Sequence, residues 1–401
     1  MASSKLWGAL CLLATVTTGT WGADPVRIAV TGPYSGPSAP MGQSMLAGVK
    51  LAADEINLGG GLFGRPLELV IKDDKGDPET AKQVSTEAVR QDKVVAAVGF
   101  INTGVALAAQ KIYQDARVPV INNVATGVKV TRQFIAPEHK ENYIFRNSAA
   151  DGIQAAAVVR DAVDRRKFQK LAIFHDSTPY GEFGKDQLIA ELARHQIKPV
   201  FVGRFAPGTA DMSSLLKEAR GAGAQALLTY ALGPDLAAIA NERARLAWPV
   251  PMIGSWTLSL PNFLEAAGKN AEGARMPQTF IEEANNSRRT GFISAYHAAN
   301  KTKRIPSAVS AAQGYDSLYL LVSAMFQAAD TDGAKVRAAL ENLAKPVYGV
   351  VTVYDRPFTA DDHEAISDNM VFMGEVKNGR IVYAYSDEER RSLVTQKKER
   401  R

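Results

Sequence analysis

The sequence predicts an α/β protein made of two lobes, each a doubly wound parallel sheet covered by helices. Short β-branched and aliphatic segments alternate with longer amphipathic segments, which is the order of β-α-β units. This order occurs twice, and two similar segments, VPVINN at 118–123 and VPMIGS at 250–255, close the corresponding blocks. The chain has 401 residues, of which 46% are hydrophobic, and that is enough for two cores.

The first block begins with the apolar run VRIAVTG at 26–32, which is typical of a strand buried on both faces. A loop rich in Gly, Pro and Ser follows, and apolar residues then recur at helical spacing over 43–57. Asp77 and Pro78 are suited to the N-cap and first turn of the next helix. The other elements alternate in the same way, with strands at 66–74, 94–100 and 118–123 and helices at 78–92 and 103–116.

The segment GGGLFG at 59–64 has the spacing G-x-G-x-x-G of a dinucleotide-binding turn. In that turn the glycines follow a strand and begin a helix, so that the helix N-terminus faces the pyrophosphate. Here they follow the helix at 43–57 and lead into a strand, where they present carbonyl groups and the negative end of the helix dipole. The pattern therefore predicts a helix C-cap and a turn, and no cofactor is expected.

The second block has the same alternation. Its strands are predicted at 170–176, 198–205, 224–231 and 250–255, and its helices at 180–196, 211–223 and 233–247. A long helix at 306–330, a further short helix and two strand-like segments, 350–358 and 379–386, follow. Residues 386–401 end in the basic run KKERR, and we expect a disordered basic tail there.

The N-terminal residues have the composition of a secretory signal peptide. Lys5 precedes the apolar run LWGALCLLATVTTGT, which is too short to span a bilayer, and small residues follow. We predict a signal peptide at 1–23, cleaved after Gly22 in preference to Ala23, and therefore export to the periplasm. A short buried helix is one alternative. The only cysteine, Cys11, lies in this segment, so a lipid anchor at Cys11 is another.

Composition excludes several classes of function. Without its N-terminal segment the chain contains no thiol, which excludes cysteine catalysis, thiolate metal sites and disulfides. No later stretch of about 18 apolar residues occurs, so a soluble mature protein is expected. The formal net charge is +5, but basic and acidic residues are interspersed and no basic run carries interleaved aromatics. We therefore expect no nucleic-acid partner.

The sequence also argues against catalysis. It has no G-x-S-x-G motif, and its five histidines lack the spacing of metal ligands. His175 and Asp176 are adjacent at a strand end, so their side chains point to opposite faces and cannot act as a base and its orienting acid. We expect a binding protein with no metal site rather than an enzyme.

Ligands of open parallel sheets bind at the carboxyl ends of the strands. In the first lobe those loops carry small polar side chains: Ser35, Asn102, Thr103 and Thr126. Each of these residues taken singly is explained by ordinary capping or turn chemistry. Their coincidence on successive strand ends, beside the free N–H groups of helix N-termini, favours binding of an anion, most simply a carboxylate.

The corresponding loops of the second lobe carry aromatic side chains, Tyr180 and Trp256. Aromatic rings provide a large apolar contact surface. One lobe with anion-binding groups and one with aromatic walls together predict a small apolar carboxylate held between the lobes. For Trp256 the alternative is a packed core residue.

Several segments of the chain are familiar as an ordered set: RIAVTGPYSGPSAPMGQSMLAGVKLAADEIN, VVAAVGFINTGVALA, VPVINNVATG, YIFRNSAADG, LAIFHDSTPYGEFG, MIGSWTL and AAQGYDSLYLL. Over residues 26–385 the chain resembles periplasmic solute-binding proteins of the branched-chain amino acid (leucine/isoleucine/valine) type, which have the type I periplasmic-binding-protein fold. No single motif is specific, but their order is. The resemblance implies a monomeric clamshell protein that delivers a solute to the permease of an ABC importer; a ligand-sensing receptor component is the alternative.

The resemblance also implies three crossovers between the lobes. We place them near Ser148, Met276 and Gly349. The first lobe then comprises 24–148 and 276–349, and the second lobe comprises 149–275 and 350–385.

Site residues follow from the same resemblance. Thr103 matches the hydroxyl residue that binds the ligand carboxylate, and Thr126 adds its side chain. The other matching or neighbouring positions are Tyr34, Ser35, Met41, Asn102, Val124, Ala125, Tyr180 and Tyr315.

One departure from the family pattern concerns the α-ammonium of an amino acid. Proteins of this type commonly hold the ammonium with an acidic residue, and Trp256 is the nearest match to that position here. A cation–π contact is weaker than a salt bridge. Asp316 is a possible substitute. Without a confirmed acid, an aromatic or keto acid that lacks the amine is favoured over a hydrophobic amino acid.

Overall fold

A computed structural model describes residues 24–394 and 396–399. The predicted signal peptide and Cys11 lie outside the described residues. The first lobe begins with a five-stranded parallel sheet in the order β2-β1-β3-β4-β5. Its elements are β1 (Val26–Gly32), α1 (Ala39–Leu58), β2 (Leu67–Asp73), α2 (Pro78–Arg90), β3 (Ala96–Gly99), α3 (Thr103–Asp115), β4 (Val120–Asn122) and β5 (Ile144–Arg146).

The second lobe contains a seven-stranded sheet. The chain enters it through α4 (Asp151–Val159), which continues as a π-helical turn at Arg160–Arg165. The following elements are β6 (Leu171–Asp176), α5 (Pro179–Arg194), β7 (Phe201–Phe205), α6 (Ser213–Gly221), β8 (Ala226–Tyr230), α7 (Gly233–Arg245), β9 (Met252–Gly254), α8 (Pro261–Ala267) and β10 (Arg275–Gln278).

The chain then returns to the first lobe. Three helices follow, α9 (Ser287–Asn300), α10 (Ala308–Ala328) and α11 (Gly333–Leu340), together with the small ribbon of β11 (Val347–Tyr348) and β12 (Val353–Tyr354). Helix α10 packs closely on α1. A Cβ atom at Gly48 of α1 would lie 2.0 Å from the carbonyl oxygen of Ala311, so only glycine permits this approach.

The last elements complete the second lobe: β13 (Phe372–Lys377), β14 (Arg380–Tyr383) and α12 (Ser386–Ser392). The order of the second sheet is β14-β13-β10-β9-β8-β6-β7, with parallel pairing from β10 to β7 and antiparallel pairing at β13 and β14. The two lobes with their mostly parallel sheets confirm the predicted fold class. No helix among the residues described is long and apolar enough to cross a membrane.

The second crossover lies close to its predicted place near Met276, since strand β10 ends at Gln278 and still belongs to the second sheet. The third crossover comes later than Gly349, because residues 350–366 pack on the first lobe. Phe358 lies 5.0 Å from the ring of Phe145, and the buried side chain of Arg146 forms a bidentate pair with Glu364 at 2.7 and 2.5 Å.

The prediction of a disordered tail from residue 386 is also wrong for the described part. Residues Ser386–Ser392 form α12, whose Glu388 side chain accepts the backbone N–H of Met373. The guanidinium of Arg391 donates to the carbonyl oxygens of Asn369 and Val371 at 2.6 and 2.9 Å. The basic side chains therefore attach this segment to the body of the protein.

Candidate functional site

A cleft lies between the two lobes, at the carboxyl ends of both sheets. In this arrangement its walls lie close together and leave a cavity of only about 20 Å³, room for about one water molecule. The first lobe contributes Met41, Ile101, Asn102, Thr103, Val124 and Thr126, and the second contributes Tyr180, Leu232, Trp256 and Thr257. None of these ten side chains is charged.

Thr103 is held in a defined orientation on the first-lobe wall. It is the first residue of α3, and its Oγ1 accepts the backbone N–H of Gly127 at 3.1 Å. A hydroxyl group that accepts a hydrogen bond keeps its own proton available for donation. A Cβ atom at residue 127 would lie 2.3 Å from Cγ2 of Thr103, so glycine is needed for this contact.

The side chain of Arg146 holds the peptide group of Gly127 in place. Its Nη1 donates to the Gly127 carbonyl oxygen at 2.7 Å, while the rest of the guanidinium pairs with Glu364. The Arg146 side chain is only 2% exposed, so its charge depends on that pairing. The position of Thr103 in the cleft is thus connected, through Gly127 and Arg146, to Glu364 in the segment 350–366.

Asn102, next to Thr103, has a different arrangement. Its Nδ2 donates to Oγ of Ser38 at 3.0 Å, while its Oδ1 is buried and has no hydrogen-bond partner among the residues described. Thr126 is buried as well and lies where the loop after β4 meets α4. The first-lobe wall therefore presents two hydroxyl groups and one amide.

Asp151 was not predicted from the sequence, yet it joins the two walls. Its backbone N–H donates to the Thr126 carbonyl oxygen at 2.9 Å, and its Oδ1 accepts the hydroxyl of Tyr230 from the second lobe at 2.8 Å. Burial raises the pKa of Asp151 to about 6, against the hydrogen bonds from Thr126 and Tyr230. Its position at the start of a helix directly after the first crossover is the signal that could have indicated this role.

The second-lobe wall is mainly aromatic. Tyr180 lies in the first turn of α5, and its ring centroid is 4.9 Å from that of Tyr230. Its hydroxyl is buried without a hydrogen-bond partner in the described chain. Trp256 begins a short 3₁₀ turn (Trp256–Ser259), and its backbone N–H donates to Oε1 of Gln154 at 3.1 Å. Its side chain lines the cleft. The Thr257 hydroxyl is engaged, because it donates to the Ala231 carbonyl oxygen at 2.7 Å.

The electrostatic character of the cleft comes from the backbone. Helices α3, α5 and α7 all begin at residues of the cleft or beside them, so three positive dipole ends face it. Because its lining carries no cationic or anionic side chain, these dipoles and the hydroxyl groups set its preference. Such a site favours a negatively charged group that accepts hydrogen bonds.

Three of the predicted site residues on the first lobe lie outside this lining. The hydroxyl of Tyr34 donates to the Val30 carbonyl oxygen at 2.9 Å, and its burial raises the pKa of the phenol. Ser35 is exposed, 3.4 Å from a carboxylate oxygen of Asp73. Ala125 is buried in the core.

Tyr315 and Asp316 also lie away from the cleft, on α10. The Tyr315 hydroxyl donates to Glu55 at 2.5 Å. The Asp316 carboxylate accepts the N–H groups of Val350 and Val351 at 2.7 and 2.9 Å, and it accepts the Tyr354 hydroxyl. Asp316 therefore fixes the segment after β11 to α10 and is not available to a ligand ammonium, which corrects the possibility considered from the sequence.

Three lining residues were missed, Ile101, Leu232 and Thr257. Each lies one to three residues after the end of a strand, in a loop that the rule for parallel sheets had already indicated. Ile101 and Leu232 were passed over because they are apolar and resemble core residues. They add aliphatic surface beside the aromatic rings.

Two α/β lobes that share a cleft lined from both sides define a solute-binding protein of the clamshell class. Comparison with known proteins agrees. The chain belongs to the periplasmic binding protein family, whose model matches residues 25–380. This confirms the resemblance seen in the sequence, and the general function is binding of a small solute.

Individual relatives show the same architecture. The leucine-, isoleucine-, valine-, threonine- and alanine-binding protein of Pseudomonas aeruginosa is 26% identical over 84% of this chain and 87% of its own length. A type 1 periplasmic binding protein from Bordetella pertussis superimposes with a TM-score of 0.79 at 26% identity, covering 90% of this chain and 99% of that one. An ABC-transporter solute-binding protein from Rhodopseudomonas palustris, solved with benzoate, has a TM-score of 0.75 at 22% identity, covering 90% and 95%.

Proposed function

We propose that the cleft binds a small carboxylate with an apolar body and without an α-ammonium group, such as an aromatic acid or a keto acid. The observation that carries this proposal is the lining, which has hydroxyl groups and helix N-termini for a carboxylate but no carboxylate of its own. An ammonium ion moved from water into such a site would meet no carboxylate in the lining, since Asp151 lies outside it and its Oδ1 already accepts the Tyr230 hydroxyl. An unpaired buried ion costs about 3 kcal/mol or more.

The named relatives support a small carboxylate and point to two kinds of body. The Pseudomonas relative is named for aliphatic amino acids, and the Rhodopseudomonas structure holds benzoate. Benzoate has a carboxylate and a ring but no amine. The chemistry of the cleft is closer to the second kind, because its lining offers the rings of Tyr180 and Trp256, and Trp256 is the nearest match to the position of the acid in amino-acid binders.

Thr103, Thr126 and the N–H groups at the start of α3 are assigned to the carboxylate. Met41, Ile101, Tyr180, Leu232 and Trp256 are assigned to the apolar body. The two groups come from both lobes, so a ligand that touches both stabilises the closed arrangement over an open one.

Titration with matched pairs of ligands tests this assignment. The two ligands of a pair share a side chain, but only one carries the amine: leucine with 4-methyl-2-oxopentanoate, and phenylalanine with phenylpyruvate. Binding is measured by calorimetry and by tryptophan fluorescence, with Trp248→Phe to isolate the signal of Trp256. We expect the acid without the amine to bind at least tenfold more tightly in at least one pair. Binding of the amino acids alone would contradict the proposal.

We further propose that the protein is exported, works in the periplasm as a monomer, and hands its ligand to an ABC permease without chemical change. The predicted signal peptide and the family support this assignment. Recovery of the unaltered acid after incubation with the protein, together with a smaller radius of gyration by small-angle scattering when the acid is bound, is the expected result. Conversion of the acid would identify an enzyme instead.

A further inference from the structure

A second cavity, separate from the cleft, lies on the flank of the molecule between the two lobes. We call it the flank cavity, and its volume is about 400 Å³. The first lobe contributes the loop 303–306 in front of α10, and the second lobe contributes the turn 378–381 between β13 and β14. The crossover residues 278–282 form its base.

Three cationic side chains line the flank cavity, and they come from both lobes. Lys303 and Arg304 belong to the first lobe, and Arg380 belongs to the second. All three are exposed, and within 24–394 and 396–399 none of them forms an ion pair. Three unpaired like charges around one cavity create a positive potential there.

The one carboxylate in the lining, Glu282, offsets part of this charge but forms no ion pair with the three cations. Oε1 of Glu282 lies 2.7 Å from Nε2 of His297, and its Oε2 accepts the backbone N–H of Ile305 at 2.9 Å. Both oxygens are therefore used within the first lobe and the crossover. The lysine and the two arginines keep their donors free for a ligand.

Two further features suit an organic anion. Helix α10, with 21 residues, begins at the cavity with Ala308, so its positive dipole end adds to the potential. The cavity also contains apolar side chains, Phe280, Ile281 and Ile305, which are otherwise buried. An apolar base below a ring of cations matches a molecule with several negative charges on a small carbon frame.

We propose that the flank cavity binds a small multivalent anion, of the polycarboxylate or phosphate-ester class. An anion that contacts cations of both lobes stabilises their present arrangement, because it binds this arrangement better than one in which the lobes have moved apart. This site is independent of the carboxylate ligand proposed for the cleft.

Calorimetric titration at constant ionic strength tests the proposal, with citrate and inorganic pyrophosphate as the two probes. The test variant carries Lys303→Gln and Arg380→Gln, one change in each lobe. The matched control is Lys50→Gln, which removes an exposed cation from α1, away from the flank cavity. We expect saturable 1:1 binding of at least one probe, weakened at least tenfold in the double variant and within twofold of wild type in the control.

The probe that binds more tightly identifies the class, citrate for polycarboxylates and pyrophosphate for phosphate esters. Absence of saturable binding of both probes, or equal affinity of the double variant and wild type, would overturn the proposal. Equal weakening in Lys50→Gln would overturn it too, because it would show a general effect of net charge. Thr103→Val is expected to leave probe binding unchanged, so a failure of the cleft assignment and a failure of this one are separable.

Discussion

The two walls of the cleft are built in different ways. On the first lobe, Thr103 and Asn102 are positioned by hydrogen bonds within that lobe, to Gly127 and Ser38. On the second lobe, the Tyr180 hydroxyl has no hydrogen-bond partner among the described residues, and its ring packs on that of Tyr230. The second-lobe wall is completed by the ring of Trp256. Under the proposed function, the first lobe supplies the polar groups for the ligand carboxylate, while the second encloses the rest of the ligand with apolar surface.

The largest expected effect concerns the support of the first-lobe wall. Glu364→Gln leaves the buried guanidinium of Arg146 without its charge partner, and we expect the free energy of unfolding to fall by about 3–5 kcal/mol. Urea unfolding measures this loss. The control is Glu68→Gln, which breaks an exposed pair with Arg27 and is expected to cost ~1 kcal/mol or less. Equal losses in both variants would show that Arg146 does not support the wall as described.

Removal of a ring tests the second-lobe wall. Trp256→Ala is expected to weaken binding of the preferred acid by about 2–4 kcal/mol, as for other buried aromatic contacts. Trp248→Phe changes the other tryptophan of the described chain, which packs in the core of the second lobe, and serves as the control. Calorimetry that finds the Trp256→Ala affinity within threefold of wild type would place Trp256 outside the site.

Loss of one donor tests the first-lobe wall directly. Thr103→Val keeps the shape of the side chain and removes the hydroxyl, so the ligand carboxylate loses one hydrogen bond. We expect binding to weaken by about 1–3 kcal/mol, and the free energy of unfolding to fall by about 1–3 kcal/mol as well, because the buried N–H of Gly127 loses its acceptor. Thr290→Val, at an exposed position of α9, is the control and should bind as wild type does. An unchanged affinity would remove Thr103 from the site.

The smallest effect compares buried carboxyl groups of the two lobes. Burial raises the pKa of Asp74, at the end of β2, to about 7 and that of Asp176, at the end of β6, to about 6. A raised pKa means that the folded state binds the proton more tightly, so the group stabilises the fold at low pH and loses this contribution as pH rises through the folded pKa.

Wild type should therefore gain about 1 kcal/mol of stability relative to Asp74→Asn when the pH falls from 8 to 6. Relative to Asp176→Asn, wild type should show the same gain in stability over a pH range about one pH unit lower. Urea unfolding at several pH values measures both differences. Parallel stability curves for wild type and Asp74→Asn would show that the pKa of this carboxyl is not raised.

Much of the site could be predicted from the sequence, because the rule for parallel sheets needs only the order of strands and helices. Thr103, Thr126, Tyr180 and Trp256 each follow a strand closely, and the structure brings them together. Tyr315 did not fit, since helical residues face the core or the solvent according to packing that sequence order does not reveal.

Other parts of the molecule depend on contacts between distant residues. Arg146 and Glu364 are 218 positions apart, and neither lies in a pattern that indicates a partner. Their pairing is one of the contacts that hold residues 350–366 on the first lobe. Asp316 was considered as a ligand contact because it is an acid, but three hydrogen bonds to the segment after β11 occupy it. Local patterns predict elements, while such pairings decide where a crossover falls.

The peptide groups of Gly127 are hydrogen-bonded on both sides. Its N–H donates to the Thr103 hydroxyl, and its carbonyl oxygen accepts from Arg146, which pairs with Glu364. A single residue thereby links a remote carboxylate to the hydroxyl group that we assign to the ligand. Under that assignment, substitutions near residue 364 are expected to alter ligand affinity while every side chain of the cleft lining stays the same.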